Sequence, residues 1–400
     1  MSQRKRILFF GEAVTLAHVA RPMVLARSLE PTHFAVELAC HPRFAALFPE
    51  AGFPVRPIDT IPSAQFEAAL AAGTPVYDAA TLRAYVKKDL RLIEAFRPDA
   101  VIGDFRLSLS ISAAVAGVPY LNLTNAYWSP YARLRFPVPE LPLTRMLGVR
   151  LGQVLFSLAR PIAFAQHAEA LNRVKREYGL PGLGHDLRRI YTHGDHTLYA
   201  DIPTLVATPE LPPNHHFLGA VLWSPDVVRP SWWDTLGQER PLVYVTLGSS
   251  GRSDLLPVVL EALAGLPVTV MAATAGRVAL PHVPANAHVT DFLPGEAAAA
   301  RARLVICNGG SPTTQQALTA GVPVLGIPNN LDQHLNMQAV AAGGAGLMLR
   351  AGHATAASVA ATTASLLNEH RFTQAAARLA TEFREYDAIA RFRKVLDTLP

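Results

Sequence analysis

The chain alternates short, unbroken apolar runs with helical segments, and it does so twice. "KRILFF", "FAVELAC", "AVIGDF" and "YLNLTN" come first. "PLVYVTLGSS", "LPVTVMAAT", "AHVTDFL", "RLVICNGG" and "VPVLGIP" follow. A strand written as a continuous apolar run is buried on both faces, as a parallel strand covered by helices must be. The segments between, such as "ARPMVLARSLE" with Leu25 and Leu29 one helical turn apart, supply those helices. The pattern predicts an α/β chain of two doubly wound parallel-sheet domains. The second series starts after the proline- and Trp-containing stretch "LWSPDVVRPSWWDTL". We therefore place one domain at 1–223 and another at 224–380, with the helical tail 381–400 packed across the join. Ligands of such sheets gather outside the strands' carboxyl ends. Two such domains facing across a cleft would suit the joining of two substrates.

Composition narrows the class. With 400 residues, half of them hydrophobic, the chain can bury two cores. A net charge of +5 without a basic block argues against nucleic acid. Cys40 and Cys307 lie in apolar runs, as buried thiols of a reducing compartment do. The apolar run after "MSQRKR" is too short for a signal peptide. "MLGVRLGQVLFSLARPIAFA" is cut by Arg150, Arg160 and Pro161, so it reads as a surface that could touch a membrane. The expectation is a cytoplasmic protein. Nothing in the pattern fixes an oligomeric state.

The most informative stretch is "CNGGSPTTQQALTAGVPVLGIPNNLDQHLNMQAV". A strand ends near Cys307, and Gly309 and Gly310 let the backbone turn and approach a ligand. Ser311, Thr313 and Thr314 open a helix, whose first N–H groups and dipole make an anion site suited to a diphosphate. An ordinary strand–turn–helix is the plain alternative. Asp332 and Gln333 then stand at the next strand's end, where carboxylate and amide could bind neighbouring sugar hydroxyls. Alternatively Asp332 caps the next helix.

This segment resembles the donor-binding signature of the GT-B glycosyltransferases of the UDP-glycosyltransferase superfamily, bacterial natural-product and macrolide enzymes in particular. The family form reads H-G-G-x-G-T-x-x-E-A-L-x-x-G-V-P, then P-x-x-x-D-Q-x-x-N. The resemblance implies a GT-B fold of two Rossmann-like domains. It implies that Asp332 and Gln333 hold the donor sugar, and that Asn308, Gly309, Gly310, Ser311 and Thr313 surround the diphosphate. Gly248 and Ser249 of "VTLGSS" would line the same site, with Phe292 and Leu293 of "TDFLP" beside the nucleobase. Three positions depart from the family: Asn308 for histidine, Pro312 for glycine, and Gln316 for the ribose-binding glutamate.

The opening loop "AHVARPMVLA" resembles the family's G-H-x-x-P, which puts His18 at the place of the general base. Displacement at an anomeric carbon requires the acceptor hydroxyl to lose a proton, and a neutral imidazole can take it. The resulting imidazolium needs a buried carboxylate on its far nitrogen. Asp104, in "AVIGDFRLS", is the expected partner. Glu12 is a second candidate, as a base, an acceptor contact or an ordering group. The family pattern requires neither Glu12 nor Arg21. Tyr127, Trp128, Tyr131 and Phe136 are expected to line an apolar acceptor pocket or to pack the domain. The sequence holds no H-x-x-x-H, C-x-x-C or D-x-D pattern, so no metal site is expected, and the nucleotide sugar is a co-substrate rather than a cofactor.

The chain therefore reads as an inverting, metal-independent glycosyltransferase of hexosyltransferase type. It would carry a sugar from a UDP- or dTDP-sugar to a hydroxyl of an apolar or aromatic small molecule. A weak or inactive accessory protein and a nucleotide-sugar 2-epimerase are the alternatives.

Overall fold

The computed structural model describes residues 4–48, 50–237 and 239–399. It contains two compact units, each built on one parallel sheet.

The first unit runs to Arg133, takes in Val154–Val221 and resumes at Tyr386. Its strands are β1 (Lys5–Gly11), β2 (Phe34–Cys40), β3 (Val55–Pro57), β4 (Ala100–Asp104), β5 (Tyr120–Thr124), β6 (His196–Tyr199) and β7 (His215–Phe217). They lie in the order β3-β2-β1-β4-β5-β6-β7, all parallel. Ile7 to Phe10 and Ala100 to Ile102 have no exposed surface, so these strands are apolar without alternation because helices cover both faces. The order reverses between β1 and β4, where Gly11 stands beside Asp104. That reversal opens a crevice at the strand ends. A side chain at Gly11 would meet the His18 carbonyl at 3.0 Å, so glycine lets the next helix start against the strand.

The C-terminal helix Ala388–Asp397 belongs to this unit. Phe392 packs on Phe9 at 6.1 Å between ring centroids. Lys5 Nζ donates to the carbonyls of Leu396 (3.1 Å) and Leu399 (3.0 Å), a cation at a helix C-terminus.

The second unit comprises Leu134–Gln153 and Leu222–Glu385. Its strands are β8 (Leu242–Thr246), β9 (Thr269–Ala273), β10 (Ala287–Thr290), β11 (Leu304–Cys307), β12 (Val324–Gly326) and β13 (Gly346–Met348). Their order is β10-β9-β8-β11-β12-β13, again parallel, with the reversal between β8 and β11. The core gathers Val243, Val245, Val259, Val270, Ile306 and Leu325. The segment 134–153, which the sequence places before the boundary, joins this unit through polar bonds. Glu140 donates its N–H to the Asn329 carbonyl (3.0 Å), and its carboxylate meets Arg350 Nη2 at 2.7 Å. Both cysteines are buried and unpaired, and burial pushes the Cys40 thiol up to about 11.

Beneath the β1 loop lies a fully buried ion cluster. Arg106 Nη1 donates to Glu12 Oε2 (2.8 Å), and Arg106 Nη2 donates to Asp89 Oδ1 (2.9 Å). Tyr85 donates to Glu12 (3.2 Å), and its ring lies 3.7 Å under the guanidinium. Removing one member of such a cluster leaves uncompensated buried charge. Arg106→Met should therefore cost about 3–5 kcal/mol in urea unfolding, against under about 0.5 kcal/mol for an exposed arginine such as Arg378→Met.

Candidate active site

The helix Ala17–Arg27 brings His18 and Arg21 to one face, three residues apart, over the end of β4. His18 Nδ1 lies 2.7 Å from Asp104 Oδ1. Arg21 grips the same carboxylate with two bonds, Nε to Oδ2 at 2.8 Å and Nη2 to Oδ1 at 2.9 Å. Its Nη1 donates to Asn125 Oδ1 (2.7 Å), whose Nδ2 donates to Asp201 (3.1 Å). Asp104 is 1% exposed and His18 20%, so the carboxylate is sealed while part of the imidazole reaches solvent.

Burial would raise the Asp104 pKa. The charge of Arg21, then that of His18, outweighs it and holds the carboxyl below the usual carboxylate range. An ionised carboxylate only accepts hydrogen bonds, so Nδ1 of His18 carries the proton. That leaves the Nε2 lone pair to accept another. The pairing is that of a general base with its orienting carboxylate.

The His18 ring stacks on Phe105 at 4.9 Å and 15°. Phe105 has φ 58, a left-handed backbone that a bulky residue adopts only under constraint. Phe66 meets it edge-on at 5.8 Å, Tyr191 lies at 5.3 Å and Tyr77 at 6.2 Å. Trp128 packs edge-on against Tyr191 at 4.9 Å. No local pattern singles out Phe66, Tyr77, Phe105 or Tyr191, because the four come from separate loops and helices.

The other residues expected on the acceptor side each have their own surroundings. Glu12 has no exposed surface and is bound to Arg106 and Tyr85, so it orders the loop and does not face a ligand. Tyr127 is buried beside Trp128 in the turn after β5. Tyr131 sits edge-on to His215 and lines a separate cavity of about 560 Å³ with Arg189 and His193. Phe136 is buried in the second unit.

In the second unit, the loops after β8 and β11 emerge side by side at the reversal. Gly309 has φ 80, and a side chain there would strike Met337 at 2.5 Å. Gly310 begins the helix Ser311–Thr319, which has no side-chain cap, with Pro312 in its first turn. Asn308 bridges the loops: Oδ1 accepts from the Gly310 N–H (3.1 Å), and Nδ2 donates to Ser250 Oγ (3.4 Å). Gly248, at φ 63, lies against the Asn308 amide. Arg277 Nη1 ties down the carbonyls of Ser249 (2.7 Å) and Gly251 (3.1 Å). Asn336, the last residue of the D-Q-x-x-N motif, has no exposed surface. Its Nδ2 clamps the Gly309 carbonyl (2.8 Å) and Thr314 Oγ1 (2.9 Å).

Gln333 caps its own helix and also reaches the loop after β8, where its Nε2 donates to the Ser250 carbonyl (3.4 Å). Asn330 and Gln333 form a reciprocal capping box, and Gln333 Oε1 accepts from the Asn329 N–H (2.9 Å). The cap is therefore Asn330, and Asp332 stands partly exposed in the first turn. Gln316 donates to the Trp223 carbonyl (2.7 Å), anchoring the segment that enters the second unit. Ser311 and Leu293 are buried, while Thr313, Ser249 and Phe292 are partly exposed. Among the described residues, no three His, Cys, Asp or Glu side chains cluster as metal ligands do.

Comparison with known proteins decides the family. Residues 258–387 match the model for the erythromycin biosynthesis protein CIII-like C-terminal domain. A "PGL/p-HBAD biosynthesis glycosyltransferase" of Mycobacterium tuberculosis (strain ATCC 25177 / H37Ra) is 56% identical over 383 residues, 96% of this chain and 90% of that one. This chain belongs to that glycosyltransferase family. A "PGL/p-HBAD biosynthesis rhamnosyltransferase" of Mycobacterium bovis (strain BCG / Pasteur 1173P2) is 55% identical over 382 residues, 96% of this chain and 85% of the other. The spinosyn rhamnosyltransferase SpnG superposes with a TM-score of 0.72 at 22% identity, covering 98% of this chain and all of SpnG. The glycosyltransferase thus has the GT-B fold.

The depressed Asp104 pKa makes stability depend on pH. The contribution is complete above the carboxyl's unfolded pKa of about 4 and is lost as pH falls through the lower folded value. In urea unfolding from about pH 2 to 7, Asp104→Asn should be less stable at neutral pH and show a shallower acid decline than wild type.

Proposed function

We propose that this glycosyltransferase moves a deoxyhexose from a dTDP- or UDP-sugar to a hydroxyl of an apolar, aromatic acceptor, with inversion at the anomeric carbon. The observation that carries the reading is the His18–Asp104 pair beside Phe105, with an aromatic cluster around it. The rhamnosyltransferase relatives support the sugar class. SpnG has been solved with thymidine diphosphate and with spinosyn aglycone, which supports a nucleotide donor and a small-molecule acceptor.

In this reading Nε2 of His18 takes the proton of the acceptor hydroxyl. The freed oxygen attacks the anomeric carbon as the bond to the diphosphate oxygen breaks. Asp104 stabilises the imidazolium without taking the proton. Arg21 holds Asp104 in place and in its ionised form. The diphosphate leaves with the bonding electron pair, and its charge is met by the start of the Ser311 helix and the Gly248–Ser249 loop. Asp332 is the donor-sugar contact in this scheme, and Gln333 and Asn336 set the loops it depends on. Phe292 and Leu293 flank the base. One displacement inverts the centre. The scheme calls for no resident metal or cofactor.

The test incubates wild type with a panel of UDP- and dTDP-sugars and phenolic acceptors, read by mass spectrometry. Glycoside and nucleotide diphosphate should appear together. His18→Ala should lower kcat by about 10²–10⁴, with nucleotide affinity by calorimetry within about twofold. Wild type that turns over no donor, or His18→Ala at the full rate, would overturn the proposal.

A further inference from the structure

Residues 142–177 form a helical segment kinked at Gly148, where φ is 73 and ψ 166. Beyond the kink, Leu151, Val154, Leu155, Leu158 and Ile162 recur at i, i+3, i+4, i+7 and i+11, one face of a helix. All five are exposed, Leu158 by 72% and Ile162 by 66%. Before the kink, Leu143, Met146 and Leu147 are exposed as well. An apolar stripe of this length on a soluble surface marks a contact with something else.

By length and composition the segment could cross a bilayer, yet its C-terminal part is built into the first unit. Phe164, Ala168, Leu171 and Val174 are buried there. Lys175 Nζ donates to the Ser110 carbonyl (2.8 Å), and Asn172 bonds Gly184 and Leu183, each at 2.7 Å. Arg150, Arg160 and Pro161 interrupt the apolar run. The helix is suited to lie on a membrane, not to span one.

Charge identifies the occupant. From Leu141 to Ala168 the sequence has Arg145, Arg150 and Arg160 and no acidic residue. Arg145 and Arg150 are exposed. An apolar stripe whose own segment carries only cations complements a surface that is anionic outside and apolar beneath. A second copy of this chain would bring the same arginines against these, which opposes a symmetric pairing. We propose that this face docks the enzyme on an anionic lipid bilayer, the helix lying in the interface with the leucines inserted.

The proposal is independent of the sugar-transfer reading, because its assay needs neither donor nor acceptor. The full chain is sedimented with vesicles of phosphatidylcholine alone, or with roughly a third phosphatidylglycerol. Wild type should bind the anionic vesicles, and salt should release it. Leu158→Glu/Ile162→Glu should lose about tenfold or more in partitioning. Arg145→Glu/Arg150→Glu should lose binding to anionic vesicles alone. All four side chains are exposed, so both variants should keep the wild-type circular dichroism spectrum and Tm. Wild type that binds neither vesicle, or an apolar variant that binds like wild type, would overturn the proposal. So would a lipid-free dimer, seen by sedimentation velocity, that Leu158→Glu/Ile162→Glu converts to monomer.

Discussion

One carboxylate, Asp104, holds the chemistry of the first unit together. It ends β4 at the reversal of strand order and is almost wholly buried. Such a charge is costly to bury alone. Arg21 neutralises it with two bonds and carries the link on to Asn125 and Asp201. The same charge fixes the ring orientation and tautomer of His18. Because both partners come from one helix, the packing of that helix against Gly11 sets the site's geometry.

The two sheets reverse in the same manner but equip their reversals differently. The first uses ions: His18–Asp104–Arg21 above and Glu12–Arg106–Asp89 below. The second uses amides. Asn308, Gln316, Gln333 and Asn336 each bind a backbone group, shaping the loops without adding charge. In the proposed scheme, that division keeps carboxylates off the glycine loop that would meet the diphosphate. It also accounts for the departures at positions 308 and 316. There the side chain is a structural tie, and an amide ties both a donor and an acceptor.

Much of this was legible in the sequence because it is carried by short local patterns. Buried parallel strands write unbroken apolar runs, and both reversals follow them. Asp104 ends β4 and His18 opens the helix that follows the neighbouring β1, so adjacent strands bring the two together. Asn336 stood at the end of the quoted motif, yet its role as clamp of the Gly309 loop needs the fold. Arg21 was visible three residues from His18, but an arginine in a helix is ordinarily solvated. Only the buried position of Asp104 explains it. Glu12 misled for the converse reason, since a carboxylate beside a candidate base reads as chemistry until Arg106, 94 residues away, is seen against it. The aromatic cluster on Phe105 is assembled from distant loops. The transfer of 134–153 to the second unit rests on Glu140 reaching Asn329 and Arg350. No local periodicity records either.

The central claim is that Asp104 holds the proton on Nδ1 and leaves Nε2 of His18 free to act as base. Long-range ¹H–¹⁵N correlation on protein labelled at histidine nitrogen reads this directly, with the His18→Ala spectrum assigning the signal. For the neutral ring, the account predicts a protonated Nδ1 and an unprotonated Nε2. A proton on Nε2 would contradict it.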